Sequence, residues 1–290
     1  MPNSIEQLNN QVKLEASSIS RRTVLMAGGA AIAATAVGVG LEGGAIAQST
    51  PSASGTSLAS AASCVLTPEV TEGPYYVDLD LIRQNIVEDR TGIPLKLQIA
   101  VADATACTAI ENAAVDIWHC DSHGYYSGVS GNMPGPDADQ SEIAEASTAT
   151  FLRGIQLTNA DGIAEFETIY PGWYLGRTIH IHLKVHLDGE ADKTYEGGHT
   201  AHTGQLFFDD AVTDQVMQLE PYSGRPDEYR TLNESDGILG DHMDEPWFFV
   251  TLTQTTEGKI EDGLLATIVI GVDPSAEYAD GVGGGGGPQG

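Results

Sequence analysis

The sequence predicts an all-β protein, a β-sandwich of about eight strands with long loops and a few short helices. Short apolar alternations recur from residue 95 to residue 272, and each is closed off by turn chemistry. The composition agrees: 34 glycines and 13 prolines among 290 residues suit many turns better than a helical bundle. With 41% apolar residues the chain can bury one good core, and a single catalytic-size domain is expected.

Strands are expected at 95–103, 114–120, 151–157, 163–167, 178–187, 205–208, 247–253 and 264–272. Asn159-Ala160-Asp161-Gly162 lies between two of these runs, and its Asp-Gly pair supplies the positive φ angles of a tight hairpin. Residues 127–150 have no period and are rich in Gly, Pro, Asp and Ser, so they read as a long loop at the mouth of a site. Short surface helices are expected at 211–219 and 225–233.

The amino-terminal segment reads as an address. Ser20-Arg21-Arg22-Thr23-Val24-Leu25-Met26 leads into an uncharged run ending at Gly40, then small residues to Ala45-Ile46-Ala47, the order of a twin-arginine signal peptide. A membrane anchor is the alternative, but the Ala and Gly content makes the run weakly apolar for that. The expected organisation is signal 1–47, flexible linker 48–63, catalytic domain 64–272 and a disordered Gly-rich tail 273–290. The signal implies passage through the twin-arginine translocation machinery and a periplasmic or extracellular destination. That route carries folded proteins, which hints at a cofactor captured before export. Three cysteines, Cys64, Cys107 and Cys120, allow three single pairings in an oxidising compartment, and the sequence does not choose among them.

Thirteen basic against 41 acidic residues give a formal charge of -28. Such a field repels phosphate backbones and anionic membrane surfaces, which excludes nucleic acid as a partner. The three basic and three acidic residues of 1–47 cancel, so the acidity belongs to the exported part.

The chemistry gathers around Arg177-Thr178-Ile179-His180-Ile181-His182-Leu183-Lys184-Val185-His186-Leu187. Odd positions from 179 to 187 are apolar, so one strand face enters the core and His180 and His182 share the other. Residues two apart on a strand sit roughly 6.5 Å apart, close enough for two imidazoles to lean onto one metal with bonds of about 2 Å. Upstream, Tyr170-Pro171-Gly172-Trp173-Tyr174 carries a Pro-Gly turn that would swing Tyr174 toward the start of that strand. A phenol of pKa about 10 needs a strongly Lewis-acidic ion to ionise, which favours iron(III) over zinc. A further strand, at Val115-Asp116-Ile117-Trp118, ends in a polar turn and presents Tyr125 and Tyr126, either of which could complete the set.

These stretches resemble the intradiol ring-cleavage dioxygenases, most closely exported members related to the protocatechuate 3,4-dioxygenase β chain. The resemblance spans residues 64–272. It includes Thr71-Glu72-Gly73-Pro74-Tyr75-Tyr76, Trp118-His119 with Tyr126, Phe151-Leu152-Arg153-Gly154, Tyr170 with Tyr174, Arg177 with His180 and His182, and Gly204-Gln205-Leu206. It implies a non-haem iron(III) cofactor held by Tyr126, Tyr174, His180 and His182, and it alone selects Tyr126 over Tyr125. Arg177 and Gln205 stand where the family places a catalytic arginine and its glutamine. The implied substrates are a small aromatic diol and O2, and the product a muconate-type diacid, with Tyr174 leaving the metal to accept a substrate proton. Tyr75, Trp173 and Arg177 are the expected substrate-binding residues, with Tyr76, Tyr125 and His202 as further pocket candidates.

Two rivals stand beside that reading. A zinc or copper hydrolase on a related fold would need an activated water but has little use for two phenolate ligands. An exported β-sandwich binding protein could keep the site residues without turnover. A helical dimerisation arm of the catechol 1,2-dioxygenase kind is not recognisable, and oligomeric state and ring substituents stay open.

Overall fold

The structure, a computed structural model, describes residues 65–278. The expected signal peptide and linker, Cys64 and residues 279–290 of the tail lie outside the described residues.

Among the described residues nine strands form two sheets. β1 (Pro94–Asp103), β2 (Thr108–Ala109), β5 (Ile163–Ile169), β8 (Thr251–Thr256) and β9 (Lys259–Val272) make one; β3 (Ala114–Trp118), β4 (Arg153–Leu157), β6 (His180–Ala191) and β7 (Tyr195–Phe207) make the other, in the order β4-β3-β6-β7. The second sheet is antiparallel throughout, whereas β1 pairs in parallel with β9 and antiparallel with β2 and β5. Alternation decides what faces inward: Leu95, Leu97, Ile99 and Val101 of β1 meet Val115 and Ile117 of β3, Ile181, Leu183 and Val185 of β6, and Ile268 and Ile270 of β9 in one buried cluster. The all-β sandwich is therefore the observed fold.

Several local expectations need correcting. The turn at 159–162 forms, with Asn159 Oδ1 accepting from Asp161 N and Ile163 N and Gly162 at φ +75°. The strands it joins, β4 and β5, nevertheless lie in different sheets, so it is a corner between layers and not a hairpin. The long hairpin is β6–β7, and β7 starts at Tyr195, ten residues before the expected 205–208 strand. Its first half escaped notice because Gly197 and Gly198, both at positive φ, interrupt the apolar alternation. The loop 127–150 holds a short helix, α1 (Gln140–Ala146), whose first turn is capped by the Asp139 carboxylate. The helix expected at 211–219 is α2 (Asp210–Val216), capped by Asp209. At 225–233 there is no α-helix but 3₁₀ turns at Asp227–Tyr229 and Asn233–Ser235, where Arg230 binds Asp210, Asp214 and Asp227 in place of a helical ladder. Likewise 247–253 becomes a 3₁₀ turn, Pro246–Phe248, before β8 begins.

Cys107 is disulfide-bonded and Cys120 is a buried free thiol, which removes both pairings that use Cys120. Among the described residues no helix is long and apolar enough to cross a membrane.

The outer face of the four-stranded sheet is not left to solvent. Residues 70–86 cross it, with Val70 N donating to Thr203 O, Arg83 N to Ile155 O and a parallel bridge at Ile82 and Ile155. The site is built in the layer between that segment and the sheet.

Candidate metal centre

His180 and His182 open β6 on its outer face, and both are buried. Register sets their neighbours: Trp118 of β3 and Gln205 of β7 stand opposite His182, and Phe207 stands opposite His180. Trp118 stacks on the His182 ring at 5.0 Å and 5°, and Gly73 closes the ring's Cε1 edge, where a Cβ would stand 3.0 Å from His182 Cε1.

Two tyrosines arrive from loops. The Tyr126 backbone is held like a strand partner by Asn132, whose Oδ1 accepts from Tyr126 N at 2.6 Å and whose Nδ2 donates to Tyr126 O at 2.9 Å. Tyr174 follows the Pro-Gly turn and bridges back to Arg177, so the expected swing toward β6 occurs. Tyr125, the neighbour the residues alone could not reject, points its hydroxyl away to accept from Asp139 N.

The four polar tips converge. His180 Nε2 lies 3.0 Å from His182 Nε2, 3.4 Å from the Tyr126 hydroxyl and 3.5 Å from the Tyr174 hydroxyl. Ligands about 2 Å from one ion stand roughly 3 Å from one another, so this spacing fits a shared metal. The His180 Nδ1–H donates to Thr178 O at 2.6 Å, which fixes the tautomer and aims the Nε2 lone pair into the cluster. His182 Nδ1 is buried without a partner.

Electrostatics agree with that fit. Burial drives both imidazoles strongly toward the neutral, metal-binding form, His180 down to about 3. Burial also raises both phenols, and the Arg177 guanidinium offsets only part of this at Tyr174. Four buried, converging groups that are neutral on their own, two of them phenols, suit a cation acidic enough to ionise them. Among the described residues no three His, Cys, Asp or Glu side chains gather to hold a metal, so an ion here must draw on the tyrosines.

Arg177 stands at the rim. Its Nη2 donates to Gln205 Oε1 at 2.6 Å, its Nε to Asp236 Oδ2 at 2.8 Å, and Gln205 Nε2 is tied to Thr71 O at 2.8 Å. Tyr75 stacks on Tyr126 at 4.5 Å and meets Tyr174 edge-on at 5.6 Å. These tyrosines, with Trp118 and Cys120, form an apolar cluster separate from the main core.

Other candidates lie elsewhere. Trp173 belongs to the main core, with the Arg225 guanidinium 3.6 Å over its ring, and the structure does not bring it to the cluster. Tyr76 packs on Trp118 and under Lys184 Nζ. His202 is buried near Glu69, its Nε2 unpartnered and its pKa pushed down to about 4 by burial. Asn132, Asp236 and the Trp118 stack also shape the site. Only Trp118, opposite the histidine strand in register, carried any sequence signal.

No family model matches the chain. It is similar to the solved intradiol ring-cleavage dioxygenase of Tetranychus urticae, at 34% identity over 74% of this chain and 98% of that one, with a TM-score of 0.59. A second solved dioxygenase is 33% identical over the same shares, with a TM-score of 0.58. Catechol 1,2-dioxygenase 1 of Acinetobacter lwoffii is 26% identical over 216 residues, 67% of this chain, and the chain spans 63% of that enzyme's length. The chain belongs to the intradiol ring-cleavage dioxygenase family.

Proposed function

We propose that the chain is an exported non-haem iron(III) dioxygenase that opens catechol-type rings between their hydroxyls with O2, giving muconate-type diacids. The observation that carries this is the convergence of the His182 imidazole nitrogen and two phenol oxygens within 3.5 Å of His180 Nε2 in a buried site. Tyr126, Tyr174, His180 and His182 would hold the ion, and iron(III) supplies, when bound, the Lewis acidity that ionises phenols and polarises a bound catecholate toward O2.

The chain's own residues have the remaining roles. Tyr174 lies beside Arg177 and, once a bound ion has made it a phenolate, would take up a substrate proton. Arg177, fixed by Gln205 and Asp236, offers a permanent positive charge where oxyanion character develops. Tyr75 and Tyr126 supply stacked aromatic surface that keeps water from the ring. Export by the twin-arginine route is supported by the Arg21-Arg22 segment and by the disulfide at Cys107, which suits an oxidising compartment.

The test is to load purified protein with iron, record its visible spectrum, then add catechols under O2 and identify the product. A burgundy tyrosinate-to-iron band and an intradiol diacid are expected. Extradiol products or a colourless iron-loaded protein would reject the proposal, and full iron loading without O2 uptake would favour the binding-protein reading.

A further inference from the structure

Asp236 lies 59 residues from Arg177 in sequence, and its side chain is fully buried against the site. Its carboxylate is fully engaged. Oδ2 accepts from Arg177 Nε at 2.8 Å and from Thr178 N at 2.9 Å, while Oδ1 accepts from Ile238 N and Leu239 N, both at 2.9 Å. A carboxylate held by three backbone amides has little freedom to turn, so the position it imposes on Arg177 is rigid. The guanidinium is then gripped at two places, Nε by Asp236 and Nη2 by Gln205, and Arg177 stands beside Tyr174, to which its backbone bridges.

We propose that Asp236 is a positioning residue of this site: it fixes the Arg177 guanidinium beside Tyr174 and, through Thr178, steadies His180. The second route is short. Thr178 N donates to Asp236, Thr178 Oγ1 donates to Asn233 Oδ1 at 2.5 Å, and Thr178 O receives the His180 Nδ1–H. The segment 233–239 is thereby a brace behind both the arginine and the first histidine. A plain structural role, in which Asp236 merely caps the turn at 236–239, would use Oδ1 alone. Oδ2 would then be free to face any donor, yet it is aimed at the two residues that lead into the histidine strand.

The proposal rests on the dioxygenase reading above, and its test separates the two. In iron-loaded protein, Asp236→Asn keeps the shape and removes the charge. It should lower kcat about 10–100-fold with KM little changed, the range seen when a supporting residue of a metal site is lost. The tyrosinate-to-iron band should shift as the positive charge beside Tyr174 loses its fixed position. Combined with Arg177→Leu, the second substitution should add no further loss, because both remove one unit.

Iron-free wild-type protein gives an independent readout. The Arg177 Nε–H, observed by ¹⁵N-resolved NMR, should be protected from solvent exchange and lose that protection in Asp236→Asn. A folded Asp236→Asn with wild-type kcat and spectrum, or losses that multiply with Arg177→Leu, would overturn the proposal. So would an Arg177 Nε–H that exchanges freely in wild type, a result available even if the variant does not fold. If wild type turns over no catechol while Arg177 Nε–H is protected and released by Asp236→Asn, the function reading fails and the brace stands.

Discussion

At Gly73 the backbone holds φ +78°, and an added Cβ would stand 3.0 Å from His182 Cε1. The imidazole has little room to retreat, because its opposite edge is tethered to the β6 backbone and Trp118 covers one face at 5.0 Å. Glycine at 73 thus serves two needs at once, a left-handed backbone and an open slot for a ring. Gly73→Ala should fold with a modest loss of stability, about 1–2 kcal/mol for the strained φ. Its larger effect should be on the metal, with affinity for iron weakened roughly 10–100-fold as the His182 ring is displaced. Competition against a chelator measures this directly, and unchanged affinity would mean that the slot does not position His182. The sequence placed Gly73 in a shared motif without revealing its purpose, since the ring it faces lies 109 positions away.

Strand β6 separates stability from chemistry by parity alone. Ile181, Leu183 and Val185 enter the main core while His180 and His182 face the covered outer side. Leu183→Ala should cost roughly 2–5 kcal/mol, the range for a fully buried leucine, seen as a lower urea midpoint. Below the melting range the iron-loaded variant should show the same tyrosinate-to-iron band as the one proposed for wild type, because its cavity opens on the opposite face of the sheet. Loss of the band in a folded variant would show that core and site are coupled. This two-sided strand was legible in sequence because period-two alternation is a local signal, and so was Tyr174, which follows a Pro-Gly turn and lies six residues upstream of His180. Tyr126 over Tyr125 was not local: Asn132 and the cap at Asp139 decide which ring turns inward. Asp236 was one acidic residue among 41, and β7 was broken up by its paired glycines. Sheet membership was hidden too, since an Asp-Gly turn looks the same whether it joins partners or layers.

Across the whole molecule, the formal charge of -28 is set against local order among the cations. Arg83, Arg90, Arg177, Lys184, Arg225 and Arg230 each already pair with a nearby carboxylate, so most remaining acidic groups face one another through solvent. That repulsion is long-ranged at low salt, where the Debye length is about 30 Å at 0.01 M, and falls to about 3 Å at 1 M. Unfolding spreads the charges and relieves the repulsion, so dilute buffer should penalise the native state. Raising sodium chloride from 0.01 to 1 M should therefore stabilise the fold. A gain of about 2 kcal/mol would lift Tm by roughly 4–8 °C for a domain of this size. The exposed pairs among them, such as Arg90 with Asp89, push weakly the other way, since they lose strength in salt, but each contributes only about 0–1 kcal/mol. A Tm that falls with salt would mean that the ion pairs outweigh the net charge. A thermal scan in sodium chloride repeated in sodium sulfate at equal ionic strength separates screening, which both salts share, from the exclusion of sulfate from the protein surface.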